Sequence, residues 1–558
     1  MLEWLAAVRS IITYLEVEFM KRIVLCLLPA FLLFSIVGSS LAKEASGIVY
    51  HDLNGDGVYD QGDRPLKGIC VSNGREVIST DDNGRYKVSI TGDDTIFVIK
   101  PRGWKTLFDE QNKPKFYYIH KPAGSPSEFE HAGVAPTGDL PKSIDFPLTP
   151  QQEPEQFKAL LIADPQTKDL AEVGHYSHDV LEDLVGTDAA FAICLGDIVH
   201  NDLSLLEPIN QASSLVGIPW YNVIGNHDLN FESKDDVLSD ETFERIYGPN
   251  YYSFNYGPVH FLVLDDIEWF TPGRNGRAGS MRAALGDKQL EFIKNDLANV
   301  PKDQLVVLTM HAPIYGFTEE ERQKLFRLIE THPHTVSISA HIHRHIHRFF
   351  DRHDGWMGDQ PHHHMVTGAA CGMWWKGFPD ERGIPHAMMS DGTPNGYAIL
   401  TVDGSDYQLD FRAAHYSPDY QMEIMTPEEI TVGEISSTDV YVNVFNGTEK
   451  SQVKMQWGSD GEWVEMTKVE EVSPNFRKMI TYEASTKNED VMTMSKDQVC
   501  THLWKAKLPA GACQGAQLLK VRTVDMHGRQ FEGCRIVRVV AEKPAAKKQV
   551  IGELSHQE

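Results

Sequence analysis

Five short polar motifs between residues 164 and 343 carry side chains that can bind metal ions. Each motif ends or follows an apolar, β-branched run that is typical of a buried strand. Polar side chains at the carboxyl ends of such strands can converge on one point, as in open α/β sheets. Together the motifs offer two Asp, one Gln, one Asn and three His as ligands, with further His for proton transfer, which suits two adjacent divalent cations. The motifs are Asp164–Gln166, Gly196–His200, Gly225–Asp228, Met310–Pro313 and Ala340–His343.

Chain length and charge limit the protein class. A chain of 558 residues is too long for one core and predicts three or four domains. Its net charge of −27 argues against general nucleic-acid binding, which requires a basic surface. An anionic substrate stays compatible with this charge, because bound cations reverse the local field.

The N-terminus carries the pattern of an export signal. Met20–Arg22 is basic, Ile23–Val37 is apolar, and Ser40–Ala42 is a small-residue cleavage site. We therefore interpret residues 1–42 as a signal peptide with its start at Met20, and a retained signal anchor is the alternative. No later segment is long enough to span a membrane. The mature chain is expected to be periplasmic or secreted.

Changes in pattern along the chain predict the domain boundaries. Short alternating runs with the hairpin signals Asn73-Gly74 and Asn83-Gly84 indicate a β domain at the N-terminal end. Buried strands then alternate with helical stretches, which indicates an α/β domain, and short strands return near the C-terminal end. The predicted segments are an N-terminal β-sandwich (43–149), a linker (150–156), the α/β domain (157–412), a C-terminal β-sandwich (413–541) and a disordered tail (542–558).

Residues 52–63 have the oxygen spacing of a calcium loop. Asp52, Asn54 and Asp56 occupy the first, third and fifth positions of an EF-hand-like loop, and Asp63 occupies the twelfth. A strand precedes this loop instead of a helix. Ca²⁺ binding and a plain Asx-rich turn are both compatible with the pattern, and a structural role is expected in either case.

The five motifs, in this order and each after a buried strand, resemble those of the calcineurin-like metallophosphoesterases. The resemblance spans residues 157–345. Residues 366–375 and 391–397 extend it to the exported bacterial members that carry extra N- and C-terminal β domains. It implies an α/β fold class, with a central four-layer α/β/β/α sandwich flanked by the two β-sandwich domains, and a dinuclear metal site.

The resemblance also implies a role for each residue of the motifs. One metal would be held by Asp164, Gln166, Asp197 and His343. Asp197 would bridge to the second metal, whose other ligands would be Asn226, His311 and His341. His227 would donate a proton to the leaving oxygen, and a hydroxide that bridges the metals would attack phosphorus.

Two departures from the family pattern matter for the chemistry. The first motif usually ends in His, whereas here it ends in Gln166, whose amide oxygen is a weaker and harder ligand. We therefore predict looser binding at that site and activity with Mn²⁺ or Mg²⁺. His200 stands where many protein phosphatases of the family have Asp. The nuclease branch also has His at this position, and we expect His200 to contact phosphate.

Three aromatic side chains near the end of the α/β domain are candidates for the substrate cleft. We expect Trp374, Trp375 and His386 to line it, and aromatic faces would suit a sugar, a base or a lipid head group. The alternative is that the two tryptophans pack the central domain against the C-terminal domain.

Two groups of further histidines come soon after the last motif. His345 and His347 would share a face with His343 on a strand, with surface or supporting roles favoured over substrate contact. The run His362–His364 is expected to form a solvated loop.

Three cysteines near the C-terminal end, Cys500, Cys513 and Cys534, make one disulfide there an expectation for an exported protein. Cys194 and Cys371 lie in apolar runs and are expected to be buried thiols.

The prediction is thus an exported hydrolase of phosphomonoesters or phosphodiesters. Its substrate would be a phosphorylated small molecule, glycan or lipid head group, and its two cations would be Mn²⁺, Mg²⁺, Fe or Zn²⁺. The alternative is a periplasmic or surface protein that binds glycan or protein and keeps a vestigial phosphoesterase centre.

Overall fold

The computed structural model describes residues 43–271, 279–486, 494, 496–511 and 513–542. The predicted signal peptide and residues 543–558 of the predicted tail lie outside the described residues. Among the helices in the described part of the chain, none is long and apolar enough to cross a membrane.

The N-terminal region consists of two small sheets. One has the strand order β2-β1-β11-β7, with β1 and β11 parallel, and the other has the antiparallel order β10-β6-β3-β4. Alternation in β5 turns Tyr86 and Val88 inward and Lys87 outward, which is the period-two pattern of a half-buried strand. The strands are β1 Lys43–His51, β2 Arg64–Pro65, β3 Cys70–Ser72, β4 Val77–Ser79, β5 Arg85–Ile90, β6 Asp94–Val98, β7 Trp104–Lys105, β8 Leu107–Phe108, β9 Pro114–Lys115, β10 Tyr117–His120 and β11 Phe146–Pro150.

The central region contains two mixed sheets. The first has the order β14-β13-β12-β23-β24, in which β12, β13 and β14 are parallel. The second has the order β15-β16-β19-β20-β22-β21, in which β16, β19, β20 and β22 are parallel. The strands are β12 Gln156–Ile162, β13 Phe191–Cys194, β14 Trp220–Asn222, β15 Tyr252–Tyr256, β16 Val259–Val263, β17 Ile267–Phe270, β18 Ser280–Ala283, β19 Leu305–Thr309, β20 Thr335–Ser339, β21 Ile346–Phe350, β22 His362–Val366, β23 Gly396–Asp403 and β24 Asp406–Ala413.

The two central sheets pack face to face through aromatic rings. The ring centre of Phe191 in β13 lies 5.3 Å from that of Phe261 in β16 and 5.5 Å from that of Phe254 in β15. Helices cover the outer faces, and His260 of β16 bonds to Asp296 of a covering helix at 2.9 Å. The central region is therefore the predicted four-layer sandwich. Its helices are α1 Leu170–Tyr176, α2 Glu182–Leu184, α3 Leu206–Ser214, α4 Glu241–Tyr247, α5 Gly286–Leu297 and α6 Glu319–Ile329, with a π-helical turn at Ser177–Leu181.

Helix α6 shows how the sequence defines these elements. Thr318 caps its first turn by accepting a hydrogen bond from the Glu321 N–H. The acidic residues in that turn are attracted by the positive end of the helix dipole, which stabilises the helix. Leu325, Phe326 and Ile329 form the buried stripe at helical spacing.

The C-terminal region consists of two further sheets around one core. Their orders are β25-β27-β31-β30 and β26-β33-β32-β28-β29, and Val442 and Trp504 of one sheet share a hydrophobic cluster with Val453 and Val521 of the other. The elements are β25 Met422–Met425, β26 Glu429–Thr431, β27 Asp439–Val444, β28 Gln452–Trp457, β29 Trp463–Glu465, β30 Thr467–Val472, α7 Pro474–Thr486, β31 Val499–Lys507, β32 Gly515–Val524 and β33 Gln530–Val540.

Two sequence predictions about the fold are wrong. The run His362–His364 begins the buried strand β22 and is not a solvated loop. Hydroxyl groups of the neighbouring strand β20 bond to His362 and His364, and His363 bonds to His347 and Tyr407. The expected C-terminal disulfide is absent from the described residues, where Cys500 is a buried free thiol and Cys513 and Cys534 are exposed free thiols. Buried thiols at Cys194 and Cys371 are confirmed.

Candidate metal centre

All seven predicted ligands follow the carboxyl ends of parallel strands in the two facing sheets. Since both sheets present these ends toward the same side of the sandwich, the ligands gather in one place. The first sheet supplies Asp164 and Gln166 after β12, Asp197 after β13 and Asn226 after β14, and the second supplies His311 after β19 and His341 and His343 after β20.

The donors predicted for the second metal meet at the His311 ring. His311 Nε2 lies 3.3 Å from Asp197 Oδ1, 3.1 Å from Asn226 Oδ1 and 3.2 Å from His341 Nδ1. The ligand atoms of Asp197, His311 and His341 all lie within 4.8 Å of one another. A carboxylate, an amide oxygen and two imidazoles thus face one point, which is a donor set that suits a divalent transition metal.

The donors predicted for the first metal lie next to this group. His343 Nε2 is 3.8 Å from Asp164 Oδ1, and the Gln166 amide nitrogen donates to Asp197 Oδ2 at 3.2 Å. Asp197 therefore has one carboxylate oxygen toward each group, as a bridging ligand requires. Ligation through Gln166 needs its amide turned by 180°, which would place Oε1 where the nitrogen lies.

Backbone carbonyls fix the tautomers of two histidines. The His311 Nδ1–H donates to Leu195 O at 2.9 Å, and the His343 Nδ1–H donates to Gly372 O at 2.5 Å. Each bond uses Nδ1 and leaves Nε2, the nitrogen that faces the carboxylates, as the one that can bind a metal. This is the usual arrangement around a metal-binding imidazole.

The ligand loops have an unusual backbone. Left-handed φ angles cost a non-glycine residue roughly 1–3 kcal/mol and occur mainly at functional sites. Gly225 adds a close approach, because a Cβ atom there would lie 2.0 Å from the Asp197 nitrogen. The predicted ligands in this conformation are Asp164 (φ 44°), Gln166 (41°), Asp197 (49°), His341 (75°) and His343 (50°).

Burial and neighbouring charges shift the pKa values of the predicted ligands. Burial raises the pKa of Asp164 to about 8. Burial acts in the same direction on Asp197, but the neighbouring His311 outweighs it and lowers the Asp197 pKa; Asp197 in turn raises the pKa of His311 to about 10 although burial opposes this. Burial lowers the pKa of His341 and of His343 to about 4. The raised pKa values of Asp164 and His311 both offset buried negative charge, which a divalent cation would also neutralise, so the residues present fit the implied metals.

Two buried carboxylates that hold the ligand loops were given no role in the sequence analysis. Asp228 accepts hydrogen bonds from the Val199 and Gly225 N–H groups at 3.1 and 2.9 Å, which ties two motifs together. Asp266 accepts from the His311 and Ala312 N–H groups, both at 3.1 Å. Asp266 ends an apolar run, as the motif residues do, and this pattern could have predicted that it lies near the ligands.

The predicted proton donor has a partner that was also missed. The His227 ring stacks on His200, with ring centres 4.7 Å apart, and the His227 N–H donates to Asp197 Oδ1 at 2.8 Å. His227 Nδ1 lies 2.5 Å from Asn201 Oδ1, so Asn201 takes the orienting position. Burial lowers the pKa of His227 and, together with the His227 charge, that of His200. Nδ1 of His200 is buried and has no hydrogen-bond partner within the described residues.

The three expected cleft residues occupy different surroundings. Trp374 is partly buried, with its ring centre 4.5 Å from that of His343, and it also packs on Met373 and Phe476. Trp375 is only 2% exposed, and its indole N–H donates to Pro165 O, so its assignment to the cleft wall is wrong.

His386 bonds to Glu483 of α7 at 2.8 Å, which links the central and C-terminal regions.

His345 and His347 form a closed hydrogen-bond network. Nε2 of each ring contacts Asn446 Oδ1, at 2.9 and 2.8 Å. The Gly368 N–H donates to His345 Nδ1, and His347 Nδ1 contacts His363. His345 is fully buried, so the supporting role predicted for this pair fits and a surface position for His345 is wrong.

In the candidate calcium loop the acidic side chains accept backbone hydrogen bonds. Asp52 accepts from Gly55 and Gly57, Asp56 from Val58, and Asp63 from Leu53 and Asp60. The Asn54 amide nitrogen donates to Asp56. These bonds describe an Asx-rich turn, and Ca²⁺ binding stays a prediction.

Three family models match this chain, all from the calcineurin-like phosphoesterases. The model for the calcineurin-like phosphoesterase matches residues 157–345, that for its N terminal residues 53–133, and that for its C terminal residues 364–531. The structure of purple acid phosphatase PPD1 from yellow lupin (Lupinus luteus) seeds is similar at 12% identity, covering 67% of this chain and 68% of that chain, with a TM-score of 0.34. None of the curated proteins compared with the chain matches it.

Proposed function

We propose that this chain, which belongs to the calcineurin-like phosphoesterases with N- and C-terminal domains, is an exported enzyme with two divalent cations. As a member of that family it is a metal-dependent phosphoester hydrolase. The observation that supports this most is the convergence of Asp197, Asn226 and His341 within 3.1–3.3 Å of His311 Nε2. Asp164, Gln166 and His343 would hold the other cation. The cations would supply Lewis-acid activation of the phosphoryl group and of water.

His227 is proposed to protonate the leaving oxygen. Its Nδ1–H is directed at Asn201 Oδ1, so Nε2 is the nitrogen that remains for proton transfer. Stacking on His200 restricts rotation of the ring. General acid catalysis of this kind contributes roughly 10²–10⁴-fold to rate. His200 is proposed to contact the phosphate through its ring, whose Nδ1 has no hydrogen-bond partner among the residues that the structure describes.

The test is hydrolysis of p-nitrophenyl phosphate and bis-p-nitrophenyl phosphate by the Mn²⁺-loaded mature chain. Asp197→Ala should lose both bound metal and turnover, because it removes the bridging carboxylate. His227→Ala should keep its metal and lose about 10²–10⁴-fold in kcat. Metal content is measured in every variant. Full turnover in either variant, or none in metal-loaded wild type, would refute the proposal and favour a binding protein.

Export is tested separately. Expression in a bacterial host from Met20, followed by fractionation and N-terminal sequencing, should give a soluble exported chain that begins at Lys43. A chain that retains residues 20–42 would show a signal anchor.

A further inference from the structure

The turn Cys371–Lys376 is strained and is held against the metal centre. Gly372, Trp374 and Trp375 all have left-handed φ angles, of 50°, 55° and 49°. Such a conformation persists at tryptophan only where surrounding contacts impose it. Trp375 is anchored in the core by its bond to Pro165 O, and Gly372 O holds the His343 ring. The position of the turn is thus set by the same contacts that set the ligands.

These anchors place two side chains beside the ligands. The ring of Trp374 lies 4.5 Å from that of His343, and Lys376 Nζ lies 5.0 Å from the centre of the Trp374 ring. Burial is the main cause of the lowered pKa of His200, and the Lys376 charge adds to it. Lys376 therefore lies over a ring that packs on a metal ligand, and its charge acts on the residue expected to contact phosphate.

The Lys376 ammonium has no carboxylate partner within the described residues, and its contact there is the Trp374 ring. Lys168, which also influences the pKa of His200, is instead paired with Glu172. Lys376, in contrast, has no such carboxylate pairing within the described residues. Its full charge stays available to an anion.

We propose that Lys376 and Trp374 form a subsite that binds the second negative charge of a phosphomonoester, so that monoesters are preferred over diesters. A monoester carries close to two charges at neutral pH, because its second pKa is about 6, whereas a diester carries one. The indole face holds the ammonium in place by a cation–π contact. This inference rests on the proposed function, because the subsite adjoins the metal centre.

The test compares Lys376→Gln with the control Lys168→Gln on both p-nitrophenyl esters. A hydrogen bond to a charged group contributes about 1.5–3 kcal/mol, so kcat/KM for the monoester should fall by about 10–100-fold in Lys376→Gln. The diester should lose less than about threefold. Lys376→Arg should keep the wild-type monoester-to-diester ratio, as should Lys168→Gln. Equal losses for the two esters, or no loss, would overturn the subsite.

Orthophosphate binding separates this inference from the proposed function. Calorimetry on the Mn²⁺-loaded chain should show binding weakened by at least about tenfold in Lys376→Gln and unchanged in Lys168→Gln. Equal binding by wild type and Lys376→Gln would overturn the subsite. If wild type hydrolysed neither ester, the proposed function would fail, and this binding difference would still decide the subsite.

Discussion

Replacing Asn201 by Ala tests how the proton donor is oriented. Asn201 Oδ1 lies 2.5 Å from His227 Nδ1, and Asn201 itself has a left-handed φ of 75°, a conformation that Asn tolerates. Without the side chain, His227 keeps its stack on His200 and its backbone bond to Asp197. The ring loses the contact that directs Nε2 toward the substrate.

The size of the effect follows from that single contact. A hydrogen bond to a group that becomes charged contributes about 1.5–3 kcal/mol, which corresponds to about 10–100-fold in rate. The upper limit is the whole contribution of a general acid, about 10²–10⁴-fold. Because the stacking on His200 remains, we expect the smaller value in kcat for Asn201→Ala. KM and metal content should stay close to wild type, since Asn201 is not a predicted ligand.

Asn201→Asp is the matched rescue variant. Its carboxylate can accept the same Nδ1–H, so turnover should return to within a few fold of wild type. The added negative charge raises the pKa of His227, which burial lowers in wild type. The imidazole then stays protonated to higher pH, and the alkaline limb of the kcat profile should move upward. Wild-type kcat in Asn201→Ala, or a downward shift in Asn201→Asp, would refute the reasoning.

Three further changes test the loops and the domain contacts. Gln166→His should tighten metal binding, seen as slower metal loss in dialysis, because imidazole is the stronger ligand. Gly225→Ala should abolish metal binding and turnover, because its Cβ would lie 2.4 Å from Asp197 Oδ1. Asp391→Asn should cost about 3–5 kcal/mol of unfolding free energy in urea, because it breaks a buried pair with His502. Burial lowers the pKa of His502, but Cys500 and Asp391 outweigh burial and raise that pKa to about 10. The stabilisation by the His502–Asp391 pair is therefore complete below about pH 6.5 and is lost as the pH rises through 10.

Matched controls make these outcomes specific. Gly174→Ala adds a Cβ atom in open space within α1, so metal content and turnover should not change. Asp82→Asn removes an exposed partner of Lys67 and should cost at most about 1 kcal/mol. A Gly225→Ala enzyme with wild-type metal content would contradict the close-approach argument. An Asp391→Asn protein with the same free energy of unfolding as Asp82→Asn would contradict the stabilisation assigned to the buried pair.

The sequence could predict the ligands because each depends on local pattern. Asp197 and His311 each follow an apolar run, and parallel strands bring such ends together whatever the loops contain. Asn201 and Asp266 could not be assigned in this way. Their roles come from contacts with His227 and with the backbone of His311 that only the folded chain creates.

The wrong prediction for His362–His364 has a similar cause. Three consecutive imidazoles indicate solvent exposure if water must supply a hydrogen-bond partner for each ring. In the sheet, Ser337 of β20 bonds to both His362 and His364 at 2.7 Å, and Ser339 bonds to His364 at 3.1 Å. Hydroxyl groups on alternate positions of one strand thus satisfy alternate imidazoles on the next. The polarity of one strand cannot be judged without its neighbour.

The same donor types form a candidate metal centre in one place and a closed network in another, and the backbone decides which. The His311 Nδ1–H donates to the Leu195 carbonyl, so Nε2 is the nitrogen left for a cation. His345 Nδ1 accepts the Gly368 N–H instead, so its Nε2 must carry the proton and donates it to Asn446. Two histidines beside an asparagine are therefore insufficient evidence for a metal. A carbonyl or an N–H behind the ring determines whether the imidazole can bind one.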